Sequence, residues 1–257
     1  MPRILRKHLL AGAREAEGVA VVIDVLRAFT SAACMVYLGA TEIVLLAAPE
    51  DALRLQAQEG YLAVGEVNGR RVPGFAMDNS PSHVLAAGPD LFAGRKIAQR
   101  TSAGVAGALA AAGHADVVIL GSYVTAGAVA RYIQRLSPPP EAVSLVAMGS
   151  GGRGVTPDDE ACADYIEHLL TGQPYDHAAA LRRIVGHECT LKFLRGDEED
   201  LPPADPIYCL QRDLFDFAIV ATHEHGRLVA RRTPVPQVAV SASPPRSGGF
   251  RDCQPTE

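Results

Sequence analysis

Carboxylates and guanidinium groups recur in this sequence where an apolar, strand-like run gives way to a helical one. Asp24 closes the run 19–24, and Arg27 opens the next helical stretch three residues on. A carboxylate at a strand end can hold a hard cation, and a neighbouring guanidinium can fork onto an anion. The same pair is equally well explained by Asp24 capping the helix while Arg27 faces water. A second gathering fills 66–79 (EVNGRRVPGFAMDN), where Glu66, Arg70, Arg71 and Asp78 share one long connection. Long irregular connections in compact domains more often carry function than not. Asn79-Ser80-Pro81 then reads as a helix start, with Pro at the first helical position.

Two further strand-to-helix turns follow. Arg100-Thr101-Ser102-Ala103-Gly104 combines a guanidinium, two hydroxyls and free backbone N–H groups, which suits a phosphate or a sulfonate. Either hydroxyl taken alone is explained by capping. Gly121-Ser122 repeats the arrangement. Gly149-Ser150-Gly151-Gly152-Arg153-Gly154 has the letters of a dinucleotide-binding loop. Such a fold, however, needs the helix to lead into a strand ending in an acid, and here it leads to Thr171-Gly172-Gln173-Pro174 and another helix. Thr156-Pro157-Asp158-Asp159-Glu160 places three acids in a first helical turn, where a capping box and the helix dipole already favour them. Three exceed what capping needs, which leaves one for a metal. His223-Glu224-His225 and His187-Glu188-Cys189 resemble metal clusters but lack partner spacing, so they read as surface or packing residues.

The elements that must position these residues alternate in a βαβ rhythm. Strands are expected at 19–24, 42–47, 61–65, 96–99, 116–121 and 143–148. Helices are expected at 27–38, 49–59, from 81, and at 103–112, 124–136, 157–170 and 176–185. Beyond 185 the pattern weakens, apart from strands at 216–221 and 227–232. The expected architecture is a layered α/β/α fold with a mostly parallel or mixed sheet in one domain, 1–240. It leaves room for two α/β lobes meeting near residue 115. A tail rich in Ser, Pro and Gly, 241–257, is expected to be flexible. Ligands in open α/β sheets sit beyond the carboxyl ends of strands, which is where the polar residues above fall.

Composition narrows the partners. The 257 residues carry a net charge of −5 with no basic stripe, which argues against nucleic acid. No apolar run is long enough for a bilayer, and the charged first 18 residues lack the form of a secretory signal, so a cytoplasmic protein is expected. Five scattered cysteines without a CxxC pair support neither a disulfide framework nor a zinc site.

Taken in order, VVIDVLRAFT (21–30), GEVNGRRVPGFAMDNSP (65–81), QRTSAGVAG (99–107), GSYVTAGAVA (121–130) and DDEACADYI (158–166) resemble the 2-phosphosulfolactate phosphatase family, with IDVLRA and the GF-to-NSP stretch the most specific parts. The sequence departs from that pattern at Arg100–Gly104 and at Ala76 and Asp78. The resemblance implies Mg²⁺-dependent removal of phosphate from 2-phospho-3-sulfolactate or a related phospho-acid, a step of coenzyme M biosynthesis. On that reading Asp24, Glu66 and Asp159 are the candidate Mg²⁺ ligands, and Asp24, Arg27 and Arg100 carry the chemistry. Arg71, Asn79, Ser80, Thr101, Ser102, Gly121 and Ser122 are the candidate substrate contacts. A homodimer is compatible with this reading. The competing expectations are a non-catalytic anion-binding protein on the same fold and a nucleotide-dependent oxidoreductase using 149–154.

Overall fold

A computed structural model describes residues 1–235. The expected tail at 241–257 lies outside the described residues. Ten strands form one mixed sheet: β1 (Arg3–His8), β2 (Val19–Ile23), β3 (Glu42–Leu45), β4 (Leu62–Val67), β5 (Arg70–Arg71), β6 (Lys96–Arg100), β7 (Val117–Gly121), β8 (Ala142–Ala147), β9 (Phe217–Glu224) and β10 (Arg227–Pro234). Their order is β1-β8-β2-β7-β9-β10-β3-β6-β4-β5. Two parallel sets, β1-β8-β2-β7 and β3-β6-β4, are bridged by the antiparallel hairpin β9–β10.

Side chains alternate between the two sheet faces, and both faces are covered. Ala20, Val22, Ile43, Leu45, Val64, Ile97, Leu120, Val146 and Ile219 share one core that runs beneath both parallel sets. The opposite face is divided: Val19, Val21, Ile23, Ile119 and Leu145 pack under one group of helices, and Val44, Ala63, Ala98 and Val229 under another. Burial on both faces is why β2 reads VAVVI without polar alternation. The layered α/β expectation therefore holds. Among the described residues no helix is long and apolar enough to cross a membrane.

Helix ends follow local chemistry. The helix Pro49–Glu59 has Pro in its first turn and stops at Gly60, which is left-handed at φ 73°. The helix Pro157–Thr171 begins and ends in the same manner, at Pro157 and at Gly172 with φ 79°. The irregular connection expected after residue 66 is in part a hairpin. Asn68 and Gly69 both adopt positive φ and return the chain as β5 along β4. His225 and Gly226 do the same between β9 and β10, so His223 and Glu224 end β9, His225 enters the turn, and Glu224 pairs with Arg231.

β1 has no counterpart in the sequence expectations, because Arg3, Arg6, Lys7 and His8 obscure its apolar pattern. It is an edge strand, where such charge is tolerated, and Arg6 lies 2.6 Å from Asp164. The helix His177–Val185 matches the expected 176–185, whereas the two helices beyond residue 185, Glu188–Leu194 and Asp205–Cys209, have no counterpart in the sequence pattern.

Three antiparallel steps reverse β3-β6-β4 relative to β1-β8-β2-β7, yet the carboxyl ends of β2 and β6 touch, with Gly104 N donating to Asp24 Oδ2 at 2.8 Å. Sheet twist reconciles these facts. A typical twist of roughly 20–25° per strand over the five steps from β2 to β6 turns the two sets from opposed directions toward each other.

Candidate active site

The carboxyl ends of the two parallel sets enclose a cleft of about 330 Å³. Asp24, Arg27, Glu66, Asn79 and Ser102 line it together with Asn68, Gly69, Ala103, Gly149, Ser150 and Arg153. The helix Glu188–Leu194 closes one side with Lys192 and Phe193, and Leu201 completes the wall.

Asp24 is held from both sides. Its Oδ1 accepts from Ala28 N at 3.0 Å and its Oδ2 from Gly104 N at 2.8 Å. A Cβ at residue 104 would stand 2.7 Å from Asp24 Oδ2, so glycine is what lets the helix Gly104–Ala111 approach. Glu66, at the end of β4, accepts from Ser102 N at 2.5 Å, from Ser102 Oγ at 3.0 Å and from Gly69 N at 2.6 Å. Arg27 is 3% exposed at its side chain and donates through Nη1 to Asp205 Oδ2 at 2.8 Å and to the Asp200 carbonyl at 2.7 Å. Both contacts use one nitrogen, which leaves the rest of the guanidinium for the cleft.

Asp158 and Asp159 are buried rather than solvated at the helix start. Thr156 makes no capping bond through its side chain, so the capping box expected there does not form. Asp159 instead reaches back to Val25 N at 2.8 Å and to Gly149 N at 2.7 Å, tying the end of β2 to the glycine loop after β8. That use of Gly149 N removes a donor that a nucleotide phosphate would need. Asp158 Oδ1 is buried with no hydrogen-bond partner among the described residues.

Asp24, Glu66, Asp158 and Asp159 are all nearly inaccessible, and none has a Lys or Arg ion pair among the described residues. Burial pushes the Asp24 carboxyl up to about 7, with the neighbouring Asp158 and Glu66 adding repulsion. Burial likewise raises Asp158, and it raises Asp159 well above the usual range, with Asp158 and Asp24 contributing. Uncompensated buried anions are costly, so this floor favours a proton or a bound cation.

The other expected contacts fall elsewhere. Arg100 does not line the cleft: its donors go to the carbonyls of Ala47 and Glu66 and to Ser102 Oγ, so it braces the loop that carries Glu66. Thr101 Oγ1 accepts from Val105 N at 3.0 Å, a capping contact. Ser80 Oγ donates to Asp205 Oδ1 at 2.7 Å, behind Arg27. The Gly121 carbonyl accepts from Asp24 N at 3.1 Å, and Ser122 is buried beside it in the chain. Arg71 lines a separate depression with Asp78, His83 and Glu199. Sequence reasoning did not identify Lys192, Phe193 or Asp205, which lie where the hydrophobic pattern fades, and it treated Arg153 only as a spacer in the glycine loop.

Mg²⁺ can be tested against this geometry. Among the described residues no three Asp, Glu, His or Cys side chains form a ready cage for a cation. Mg²⁺ seldom uses one; it is commonly held by one or two carboxylates, waters and the substrate's phosphate oxygens. Asp24 and Glu66 both line the cleft and provide that oxygen set, so the residues present fit the ion; the expected third ligand, Asp159, is not among the lining residues and spends both oxygens on Val25 N and Gly149 N.

An α/β sheet whose strand ends converge on buried carboxylates and a fixed arginine defines a class of protein that takes its ligand beyond the carboxyl ends of its strands. A sequence model described as 2-phosphosulpholactate phosphatase matches residues 4–223. The chain is 31% identical over 201 residues to a probable 2-phosphosulfolactate phosphatase of Bacillus subtilis, covering 77% of this chain and 85% of that protein. Proteins with the same name from Deinococcus radiodurans and Thermus thermophilus are 37% and 34% identical, over 59% and 62% of this chain and 62% and 66% of their own. The chain belongs to the 2-phosphosulpholactate phosphatase family.

Proposed function

We propose that this protein hydrolyses the phosphate monoester of a small hydroxy acid, 2-phospho-3-sulfolactate or a related phospho-acid, with Mg²⁺ in the cleft. The observation that carries the reading is the floor of buried carboxylates, unpaired by Lys or Arg among the described residues, beside Arg27. Support comes also from the family and from the names of its relatives.

Water supplies an oxygen to phosphorus, the P–O bond to the substrate's ester oxygen breaks, and a proton from the water passes to that oxygen, so that alcohol and inorganic phosphate leave. Asp24 and Glu66 would hold Mg²⁺, which supplies positive charge against the phosphoryl oxygens. Arg27, fixed by Asp205, turns its remaining N–H groups to the same oxygens as charge develops in the transition state. Arg100 and Ser102 keep Glu66 in place by holding its backbone carbonyl and its carboxylate. Asp159 holds the β2 and β8 loops at the spacing the cleft requires.

The test is phosphate release by the purified chain, with and without Mg²⁺, from 2-phosphosulfolactate and simple phospho-acids. Metal-dependent release is expected, and Asp24→Asn should lower kcat/KM by about a hundredfold or more. If no ester yields release above that of the Asp24→Asn variant, the enzyme reading falls and a binding protein remains.

A further inference from the structure

Three cationic side chains reach the cleft: Arg27, Arg153 and Lys192. Arg27 is neutralised by Asp205, but Arg153 and Lys192 have no ion pair among the described residues. They come from different elements. Arg153 sits on the glycine loop after β8, and Lys192 on the helix Glu188–Leu194. The Phe193 ring organises the second of these positions, because Arg27 Cζ and Lys192 Nζ each lie 5.2 Å from its centroid. Phe193 is itself buried, so it fixes two cations along one wall of the cleft.

The charges in the cleft are therefore of two kinds. Asp24 and Glu66 are anionic donors that suit a metal-bound phosphate and would repel any bare acid group placed against them. Arg153 and Lys192 have no ion pair among the described residues, although Glu188, itself paired with Arg195, feels the charge of Lys192. A phosphoryl group alone, already met by Arg27, leaves both unused.

We propose that Arg153 and Lys192 form a subsite for a second acidic group of the substrate, a carboxylate or sulfonate, and that this subsite selects phospho-acids over esters of neutral alcohols. The assignment rests on the phosphatase reading for its substrate. Its recognition chemistry depends only on the two cations. Lys offers a point charge to an oxyanion and Arg a planar fork, so either acid group can be accepted.

The experiment has two arms on the full-length chain. The first compares kcat/KM for 2-phosphosulfolactate with that for glycerol 2-phosphate in the unaltered protein, Lys192→Met, Arg153→Gln and Lys192→Arg. The acid-to-neutral ratio should fall about tenfold or more in Lys192→Met and in Arg153→Gln, as expected for loss of a charged hydrogen bond, and recover in Lys192→Arg. A ratio unchanged within about twofold in both neutralised variants overturns the subsite. The second arm measures binding of 3-sulfolactate by calorimetry, with no turnover required. Weakening of about tenfold or more in the neutralised variants supports the subsite, whereas equal affinity, or no binding to the unaltered protein, overturns it. If neither ester is hydrolysed, the phosphatase reading fails by itself and the calorimetric arm still decides the subsite.

Discussion

Asp24 concentrates the conflict in this molecule: it is buried among other carboxylates and accepts from two backbone N–H groups. Its folded pKa of about 7 lies above the value of about 3.9 for an unfolded Asp, so the native state holds the extra proton between those values. The sign follows from linkage: stability falls as pH rises through that window wherever the native state binds more protons. Urea unfolding in EDTA should therefore show this protein losing stability between about pH 4 and pH 7, and the loss should be smaller in Asp24→Asn. Parallel pH curves for the two proteins would mean that Asp24 ionises freely. Gly104 offers a steric test at the same spot. Gly104→Ala places a methyl 2.7 Å from Asp24 Oδ2. A cost of about 1–3 kcal/mol is expected, together with a fall in phosphate release. Unchanged stability and turnover would show that the helix can retreat.

At the scale of elements, the helices beyond residue 185 supply the far wall of the cleft. Asp205, in the helix Asp205–Cys209, is fully buried and takes hydrogen bonds from Arg27, Ser80 and Ser82. It thus joins the end of β2, the start of the helix Pro81–Ala87 and the late helices at one carboxylate. Removing one partner of a buried ion pair leaves the other charge without compensation. Asp205→Ala should accordingly destabilise the protein by about 3–5 kcal/mol in urea unfolding, well beyond a typical surface change. A loss under about 1 kcal/mol would mean that water reaches Arg27 readily.

For the whole molecule, the sheet decides cooperativity. Cutting near residue 115 would leave β1 and β2 in one half and β7 and β8, which hydrogen-bond to them, in the other. The hairpin β9–β10 likewise bonds to β7 on one side and to β3 on the other. The two parallel sets are thus interleaved in sequence. A single unfolding transition is expected, with far-UV and tyrosine near-UV circular dichroism coinciding. Two separated midpoints would reveal lobes that fold alone.

The amino-acid sequence by itself determined most of the elements and many of the site's residues. Unbroken runs such as VAVVI, Pro and Gly at helix ends, and acids at strand ends are local signals, set by backbone sterics and burial over a few residues. Asp24, Arg27, Glu66, Asn79 and Ser102 were legible on that basis. Tertiary structure alone decided which of the remaining candidates face the cleft. Arg100 turned to brace Glu66, Arg71 followed a hairpin away, and Ser80 went behind Arg27 to Asp205. Only the three-dimensional fold also brought Lys192 and Phe193 to the far wall. The physical reason is that a side chain's partner is chosen by sheet order and accumulated twist, which join residues far apart in the chain and leave no periodic trace in it.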